Sequence, residues 1–358
     1  MRREVMPIDH IPVLDQSSGG CSHLTELLSL PHPPIAPGHP TGFGGRDRFE
    51  LSPHTLDGVS MVQRCVLILL LLAPTAAHAG AWTLSKGRYW SKITLMTQST
   101  DEEYVSIGVA GRPPDIQRIY EPGDRAPYAE RGKYESRAVF VDLWYGVTDR
   151  LDIGLLVPWF RQTFVNDALL IGFGEARVAS GISDVRGFLK VNLIKDPFVG
   201  SIKLGAKAPT GELINEEGIV PVGEAQWDID IVAQIGKSFW PVPLYAGLDI
   251  GYRFRTKNEE LDRDPGNEIV FIAELGATPT SWSLLAIKLE GIRGQKGKIL
   301  GVANDSLRKR VTYLSPTAGL GPWNDIRFEA ASRISLNGRG FPAGPLFTVG
   351  LTYEGRLL

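Results

Sequence analysis

The chain has 358 residues, of which 43% are hydrophobic and 22% charged, and its formal net charge is -2. This balance lacks the basic excess that marks nucleic-acid-binding proteins, so we expect no nucleic-acid partner. Both cysteines and all six histidines lie at or before His78. The later residues therefore lack the usual zinc ligands, thiol nucleophiles and imidazole bases, and we expect neither a metal nor another cofactor.

Residues 1–60 are rich in Pro, Gly, His and Ser, and their apolar residues follow no sustained period. Two interpretations remain open for this segment. Either the gene start is mis-assigned and Met61 begins the natural protein, or 1–60 is a disordered extension that is removed together with the segment that follows.

Residues 61–79 read MVQRCVLILLLLAPTAAHA and have the three parts of a secretory signal peptide. Arg64 supplies the positive charge, the run from Val66 to Ala73 is apolar, and Ala77 and Ala79 form a small-x-small cleavage signature. The apolar run is too short to span a bilayer, which takes about 20 residues. We expect export from the cytoplasm and cleavage after Ala79; the alternative is a buried core helix.

The region 80–358 alternates apolar and polar residues again and again. Within 138–160, for example, Val139, Val141 and Leu143 fall on one face of an extended segment and Asp142 on the other. Such alternation predicts β-strands with one apolar face and one polar face. We predict twelve strands, starting near residues 86, 136, 150, 183, 198, 224, 243, 267, 282, 310, 324 and 345. The tenth contains Pro316, which would cost a ladder hydrogen bond.

The connections between these strands alternate strictly between short and long. The short ones lie near 146–150, 195–197, 237–243, 278–281 and 321–324, and the long ones near 99–134, 163–182, 209–223, 256–266, 292–309 and 336–344. Outer-membrane barrels have this asymmetry, with short periplasmic turns and long extracellular loops. The loop 99–134 either folds inward as a plug or lies in solvent.

The predicted fold is therefore all-β, a closed antiparallel transmembrane β-barrel of about twelve strands. A soluble sandwich would show the same period, with its apolar faces packed together. The signal peptide and the order of the loops favour a barrel whose apolar face meets lipid and whose charged face lines the lumen. Aromatic residues near the predicted strand ends fit interface girdles: Trp159, Phe160, Phe239, Trp240, Phe254, Trp282 and Trp323.

The charged residues of the polar faces are the candidates for lining the lumen. They are Arg186, Lys190, Lys203, Lys207, Asp228, Asp230, Asp249, Arg253, Arg255, Glu274, Lys288, Glu290, Arg327, Glu329 and Arg333. They either set the selectivity of a pore, as charged rings do, or cross-link a narrow lumen and close it. Twelve strands fall between the filled eight-stranded barrel and the open sixteen-stranded one, so both alternatives remain.

Catalysis has little support in the sequence, and we expect the protein not to be an enzyme. A Ser-His-Asp arrangement is excluded after His78 because no histidine follows. Asp228 and Asp230 lie two apart on one strand face, which leaves a paired-carboxylate mechanism open. Pairing of these two carboxylates with lumen cations is the simpler interpretation.

Three glycine-containing segments recur in a fixed order in one known family. They are Ser180-Gly181-Ile182-Ser183-Asp184, Lys207-Ala208-Pro209-Thr210-Gly211 and Gly223-Glu224-Ala225-Gln226-Trp227-Asp228. With them the chain resembles the outer-membrane barrel family of transporters of the meta-pathway of phenol degradation. It departs from the pattern at Ile182-Ser183 and at Ala225, where the family has glycine. The resemblance implies passage of small aromatic or apolar compounds, although the segments themselves read first as devices that end and restart strands.

These observations predict a barrel in the cell outer membrane that passes small solutes passively. Its expected partners are outer-membrane lipid, the barrel-insertion machinery and the small-molecule solutes themselves. The alternative is a structural or surface-binding barrel that does not transport and acts through its long loops.

Overall fold

The computed structural model describes residues 80–112, 115–167, 175–214 and 219–357. The predicted extension 1–60 and signal peptide 61–79 lie outside the described residues. Within them, no helix has the length and the apolar sequence that crossing a membrane requires.

Twelve long strands form one closed antiparallel barrel, as the alternation predicts. Each strand pairs with its neighbours in the chain, and β1 also pairs with β12, which closes the ring. The strands are β1 (Arg88–Thr100), β2 (Lys133–Thr148), β3 (Leu151–Val165), β4 (Arg186–Ile194), β5 (Val199–Lys207), β6 (Asp228–Ser238), β7 (Leu244–Arg255), β8 (Glu268–Thr280), β9 (Ser283–Gly294), β10 (Arg310–Trp323), β11 (Ile326–Arg339) and β12 (Leu346–Arg356).

The predicted strand starts all lie within four residues of the observed ones, and the wall departs from a simple meander only just before β4. There an additional strand, Arg177–Ile182, pairs with one half of β3, and β4 itself pairs with the other half. The predicted start at 183 falls in the break between the two pieces. Pro316 does lie within β10, and the pairing of β10 with β11 skips that position, where proline has no N–H to donate.

The two ends of the barrel differ. Short connections such as 149–150 and 281–282 join strands at one end, which we call the turn end, and long connections join them at the other, the loop end. Two three-stranded sheets form at the loop end. One consists of Glu102–Tyr104, Arg125–Pro127 and Phe341–Pro342, and the other of Arg263–Asp264, Gly297–Ile299 and Val302–Asn304. The 3-10 helices Ala129–Arg131 and Asp305–Leu307 also lie in these loops.

The apolar face of the wall is on the outside. Ile231, Ile250 and Val349 are 47%, 51% and 55% exposed, whereas the charged residues between them are buried. The predicted belt aromatics Trp159, Phe239, Trp240, Phe254, Trp282 and Trp323 are likewise exposed. This is the reverse of a soluble protein, and it is the arrangement of a transmembrane barrel, whose apolar band meets lipid.

The prediction for Phe160 was wrong, because its ring lies inside the barrel. It is fully buried and meets the ring of Phe140 edge-on, with 5.4 Å between the centroids. Its parity along β3 decides this, since its neighbour Trp159 takes the outward position.

The lipid-facing assignment predicts a depth-dependent cost for charge on the outer face. Ile250 lies in the middle of β7 and Leu244 at its turn end, and both side chains are exposed. We expect Ile250→Arg to lower the free energy of unfolding by about 2–4 kcal/mol, and Leu244→Arg by about 1 kcal/mol or less. Equilibrium unfolding from lipid vesicles measures both. Equal costs for the two variants would contradict the assignment of this face to lipid.

Candidate functional site

The structure places the charged residues singled out in the sequence on the inner face of the wall. All are buried except Lys288, which is partly exposed: Arg186, Lys190, Lys203, Lys207, Asp228, Asp230, Asp249, Arg253, Arg255, Glu274, Lys288, Glu290, Arg327, Glu329 and Arg333. Burial of so many charges means that the interior is filled rather than open. Three sets of contacts fill it.

The first set is an ion-pair network toward the loop end. It joins five carboxylates, Asp184, Glu224, Asp228, Asp230 and Glu268, to five cations, Arg186, Lys207, Arg253, Arg255 and Lys309. We call these ten residues the loop-end network. Its carboxylates and cations are equal in number, which is what burial of charge requires.

Asp230 lies at the centre of one half of this network. It accepts a hydrogen bond from Arg186 at 2.9 Å and one from Arg253 at 2.6 Å. Arg253 also lies 3.3 Å from Glu268. Each guanidinium therefore has a carboxylate within direct hydrogen-bonding distance, and the short contacts are of the charge-assisted kind.

Glu224 links the network to a segment that is not part of the wall. Its carboxylate oxygens lie 2.6 Å from Lys207 Nζ, 2.8 Å from Arg255 Nη2 and 3.5 Å from Lys309 Nζ. The segment consists of the described residues 208–214 and 219–227, and we call it the inward segment. Val220 and Val222 are buried in the apolar cluster that includes Phe160, and the Gln162 amide donates to Pro221 O at 2.9 Å. The segment therefore packs against the inner face of the wall.

The three glycine-containing segments of the sequence come together at this point. Asp184 accepts hydrogen bonds from the backbone N–H groups of Gly211 and Glu224, at 3.0 and 3.2 Å, and pairs with Lys207 at 2.9 Å. The Ser183 hydroxyl donates to the carbonyl of Val222. The break in the wall before β4 is thus the place where the inward segment is held.

A close approach of two backbones requires glycine at Gly211 and Gly223. A Cβ atom on Gly223 would lie 2.2 Å from the carbonyl oxygen of Gly211, whereas one on Gly187 in β4 would meet nothing within 4 Å. We expect Gly223→Ala to lower the free energy of unfolding by about 1–3 kcal/mol, because backbone atoms cannot give way cheaply. Gly187→Ala is the matched control, with little change expected. Equal stability of the two variants in equilibrium unfolding would contradict the observed packing.

The second set of contacts fills the turn end with residues 80–87, which we call the N-terminal segment. The carbonyl of Trp82 accepts a hydrogen bond from Lys190 Nζ at 2.6 Å, and the Leu84 N–H donates to Asp152 at 3.1 Å. The Ser201 hydroxyl donates to the carbonyl of Ala81, which is fully buried. Wall residues of β3, β4 and β5 therefore hold this segment inside the barrel.

The third set lies on the opposite side of the interior, on β1 and β8 to β11. Lys92 pairs with Glu329 at 2.5 Å, Arg333 with Glu290 at 2.6 Å and Lys288 with Glu274 at 3.4 Å. These pairs involve wall residues alone. A cavity of about 40 Å³ lies among them, which is room for about three water molecules.

Several residues of the site have no counterpart among the predicted ones. Asp184 and Glu224 belong to the glycine-containing segments, which were interpreted as devices of the fold, and Glu268 lies in the strand predicted from 267 but was not singled out. Lys309 lies in a loop, where burial lowers the pKa of its amine in spite of the nearby Glu224. The one signal that could have found Asp184 and Glu224 is their place in segments that recur together.

The chemistry of the site is that of paired charges. Asp228 and Asp230, the carboxylates considered for catalysis, both lie within the loop-end network, at 3.3 Å from Lys207 and 2.9 Å from Arg186 respectively. Among the described residues, no cluster of three or more His, Cys, Asp or Glu side chains is placed to hold a metal ion. At the mouth, the Arg339 guanidinium lowers the pKa of the Asp305 carboxyl.

Comparison with known proteins finds similar structures but no similar sequence. The barrel is similar to an outer membrane channel from Pseudomonas putida F1, with a TM-score of 0.62 and 18% identity over 77% of this chain and 98% of that one. The β-domain of the Bordetella autotransporter Brka aligns at a TM-score of 0.41, with 10% identity over 76% and 100%. The toluene transporter TbuX of Ralstonia pickettii aligns at 0.36, with 11% identity over 76% and 90%. No protein-family model and no curated protein matches the chain. The first of these similarities shows a shared barrel fold.

Proposed function

We propose that the protein is an outer-membrane channel for the passive passage of small solutes. The observation that carries the proposal is how the interior is filled. The wall closes a polar, charge-lined lumen, and its two ends are occupied by the inward segment and the N-terminal segment, neither of which is part of the wall. Because neither segment belongs to the strand ladder, we infer that both can move without breaking it and that their movement opens the lumen.

The location follows from the same geometry. The apolar band meets lipid of the outer membrane, the turn end faces the periplasm and the loop end faces the outside, as in other barrels of this kind. Export by the signal peptide 61–79 and help from the barrel-insertion machinery bring the chain there. N-terminal sequencing of the mature protein should find Gly80 first. A mature chain that begins well before Gly80 would contradict the predicted cleavage.

The class of solute rests on the resemblance described above, which favours small aromatic or apolar compounds. The interior charges of the described residues are largely paired, so an uncharged solute meets little net charge there. For passive passage, the direction of flow follows the concentration gradient of the solute.

The test is conductance of the folded, purified protein in planar bilayers, together with liposome swelling in small uncharged solutes. We expect small, intermittent conductance steps and slow swelling, since the lumen is filled most of the time. Protein that migrates as a folded barrel but gives neither conductance nor solute flux would overturn the proposal.

One observation favours the alternative, a barrel that binds a partner through its loops. The loop end carries two ordered three-stranded sheets, and apolar side chains at the loop tips are exposed, among them Ile116, Ile119, Leu300 and Val302. Replacement of these four by serine would abolish binding to a partner and leave conductance unchanged. The two functions are therefore separable by experiment.

A further inference from the structure

The interior of the barrel is filled unevenly. On the side of β4 to β7, the loop-end network and the two inserted segments leave Lys207 and Arg253 with side-chain exposures of 0% and 1%. On the opposite side, Lys92 and Lys288 are each 12% exposed. Water therefore reaches Lys92 and Lys288 more than it reaches Lys207 and Arg253. On the filled side a second cavity of about 40 Å³ borders Glu224, Arg255 and Lys309, but it lies toward the loop end and includes residues of the inward segment.

The cause lies in the size of the inward-facing side chains. The cavity of about 40 Å³ is bordered by the short residues Thr94, Ser315, Thr317, Ala331, Thr348 and Gly350 of β1 and β10 to β12. The buried inward positions of β4 to β6 include longer side chains, among them Arg186, Phe188, Lys190, Lys203 and Lys207. Thr94 is the central residue of β1, so the cavity lies near mid-height of the wall.

The cavity is also polar enough to hold water. Lys92, Lys288, Glu290, Glu329 and Arg333 line it, and the Glu290 oxygen Oε2, though buried, has no hydrogen-bond partner among the described residues. An apolar void of this size would stay dry, but a polar one with an unsatisfied carboxylate oxygen binds water. Small solutes and ions enter most easily where displaceable water already lies.

We infer that the path for ions and small solutes runs along the β1 and β9 to β12 side of the lumen, past Lys92 and Lys288, and that these two lysines set its preference among ions. The inference rests on the proposed channel function. It assigns the opposite side, with the loop-end network and the inserted segments, to closure of the lumen. Lys92, Lys288 and Arg333 face Glu329, Glu274 and Glu290 along this path, so its charges balance and loss of one lysine leaves an excess of carboxylate.

Silver-ion block of cysteine variants tests the position of the path. Residues 80–358 contain no cysteine, so a single introduced thiol is the only one. Thr94→Cys and Thr348→Cys place a thiol at the cavity, and Val232→Cys places one among buried residues of β6 on the filled side. The measurement is conductance in nitrate salts before and after addition of silver nitrate.

We expect silver to block the Thr94→Cys and Thr348→Cys channels and to leave Val232→Cys and the parent protein conducting. Block of Val232→Cys alone, equal block of all three variants, or block of none would overturn the inference. A parent protein that is folded but does not conduct would instead overturn the proposed channel function, so the two failures are distinguishable.

Neutralisation of one lysine tests the selectivity. Lys288→Met keeps an unbranched side chain one atom shorter and removes its charge. Its partner Glu274 retains a hydrogen bond from the Tyr245 hydroxyl at 2.5 Å, so the wall should fold. In a potassium chloride gradient, we expect the reversal potential of Lys288→Met to shift toward that of potassium. Lys203→Met, on the filled side, is the control and should shift less. A larger shift for Lys203→Met than for Lys288→Met would contradict the inferred path.

Discussion

Replacing Asp230 with asparagine is expected to lower the free energy of unfolding by about 3 kcal/mol or more. The substitution keeps the size of the side chain and removes its charge. Asp230 is fully buried and is the close partner of both Arg186 and Arg253, so five cations would then face four carboxylates inside the loop-end network. Loss of one member of a buried ion pair leaves an uncompensated charge, which costs more than the pair contributed.

Glu260→Gln is the matched control. Glu260 is exposed in a loop, and its substitution removes the same charge from the chain as Asp230→Asn does. Its unfolding free energy should change by about 0.5 kcal/mol or less, as for other surface substitutions. Equilibrium unfolding from lipid vesicles measures both variants. An Asp230→Asn protein as stable as Glu260→Gln would mean that water reaches Asp230, and that the interior is less tightly filled than the structure has it.

A double-mutant cycle separates the pair from its surroundings. Arg253→Met alone should also destabilise, because Asp230 and Glu268 then lose a cation. The double variant Asp230→Asn/Arg253→Met should lose less unfolding free energy than the two single variants lose together. The difference, the coupling energy, should be about 0.5–3 kcal/mol. Additive costs would show that the two side chains do not interact across the strands.

The strands of the wall are predicted well because the alternation that reveals them is a pattern among neighbouring residues. Period two places every second residue on the same face, so the outward positions of Ile231 and Ile250 and the inward position of Asp230 follow from parity alone. Phe160 is the exception, and it was misplaced because its position near a strand end was given more weight than its parity. The alternation of loop lengths, which distinguishes the two ends, also needs no knowledge of distant contacts.

What fills the barrel could not be predicted in this way. The apolar residues of the N-terminal and inward segments follow no regular period. The partners of these segments also lie far away in the chain: Lys309 approaches Glu224, and Lys190 donates to the carbonyl of Trp82. Twelve strands leave both an open and a filled lumen possible. Whether the lumen is open or filled depends on which side chains face each other across it. The sequence gives the length of each side chain, but only the closed barrel shows which of them face each other.

The loop 101–132 illustrates the same limit. The sequence left it open as a plug or a solvent loop, and its contacts with the wall are with residues at the loop ends of strands, such as the 3.1 Å hydrogen bond from the Tyr104 hydroxyl to Ser335 O. The described residues of this loop contact the loop end of the wall, whereas the inward and N-terminal segments contact its inner face. Length and charge left both alternatives open for this loop, whereas the inward segment, in a shorter connection, carries Gly211 and Gly223, whose backbones approach each other closely.

Removal of residues 80–86, with the signal peptide kept, is expected to raise the conductance of the channel severalfold. The deleted residues contact the inner wall through Gly80, Ala81, Trp82 and Leu84 and the turn at Asp149 through Thr83 and Lys86, and they take no part in the strand ladder. Lys190 and Asp152, which hold it, lie 3.2 Å apart and keep each other as partners when it is gone. The wall should therefore fold as before, with its turn end unobstructed.

A variant that keeps the segment but loosens it makes the comparison quantitative. The Trp82 ring packs directly on the backbone of Gly236, where an added Cβ atom would lie only 2.1 Å from the ring. It also packs against Tyr245 and Leu284. Trp82→Ala removes that anchor and leaves the backbone contacts, so its conductance should fall between the parent and the deletion. The order of the three in planar bilayers is the result to look for. If the deletion variant is folded yet conducts no more than the parent, the N-terminal segment does not limit the flow, and the constriction lies among the ion pairs of the wall.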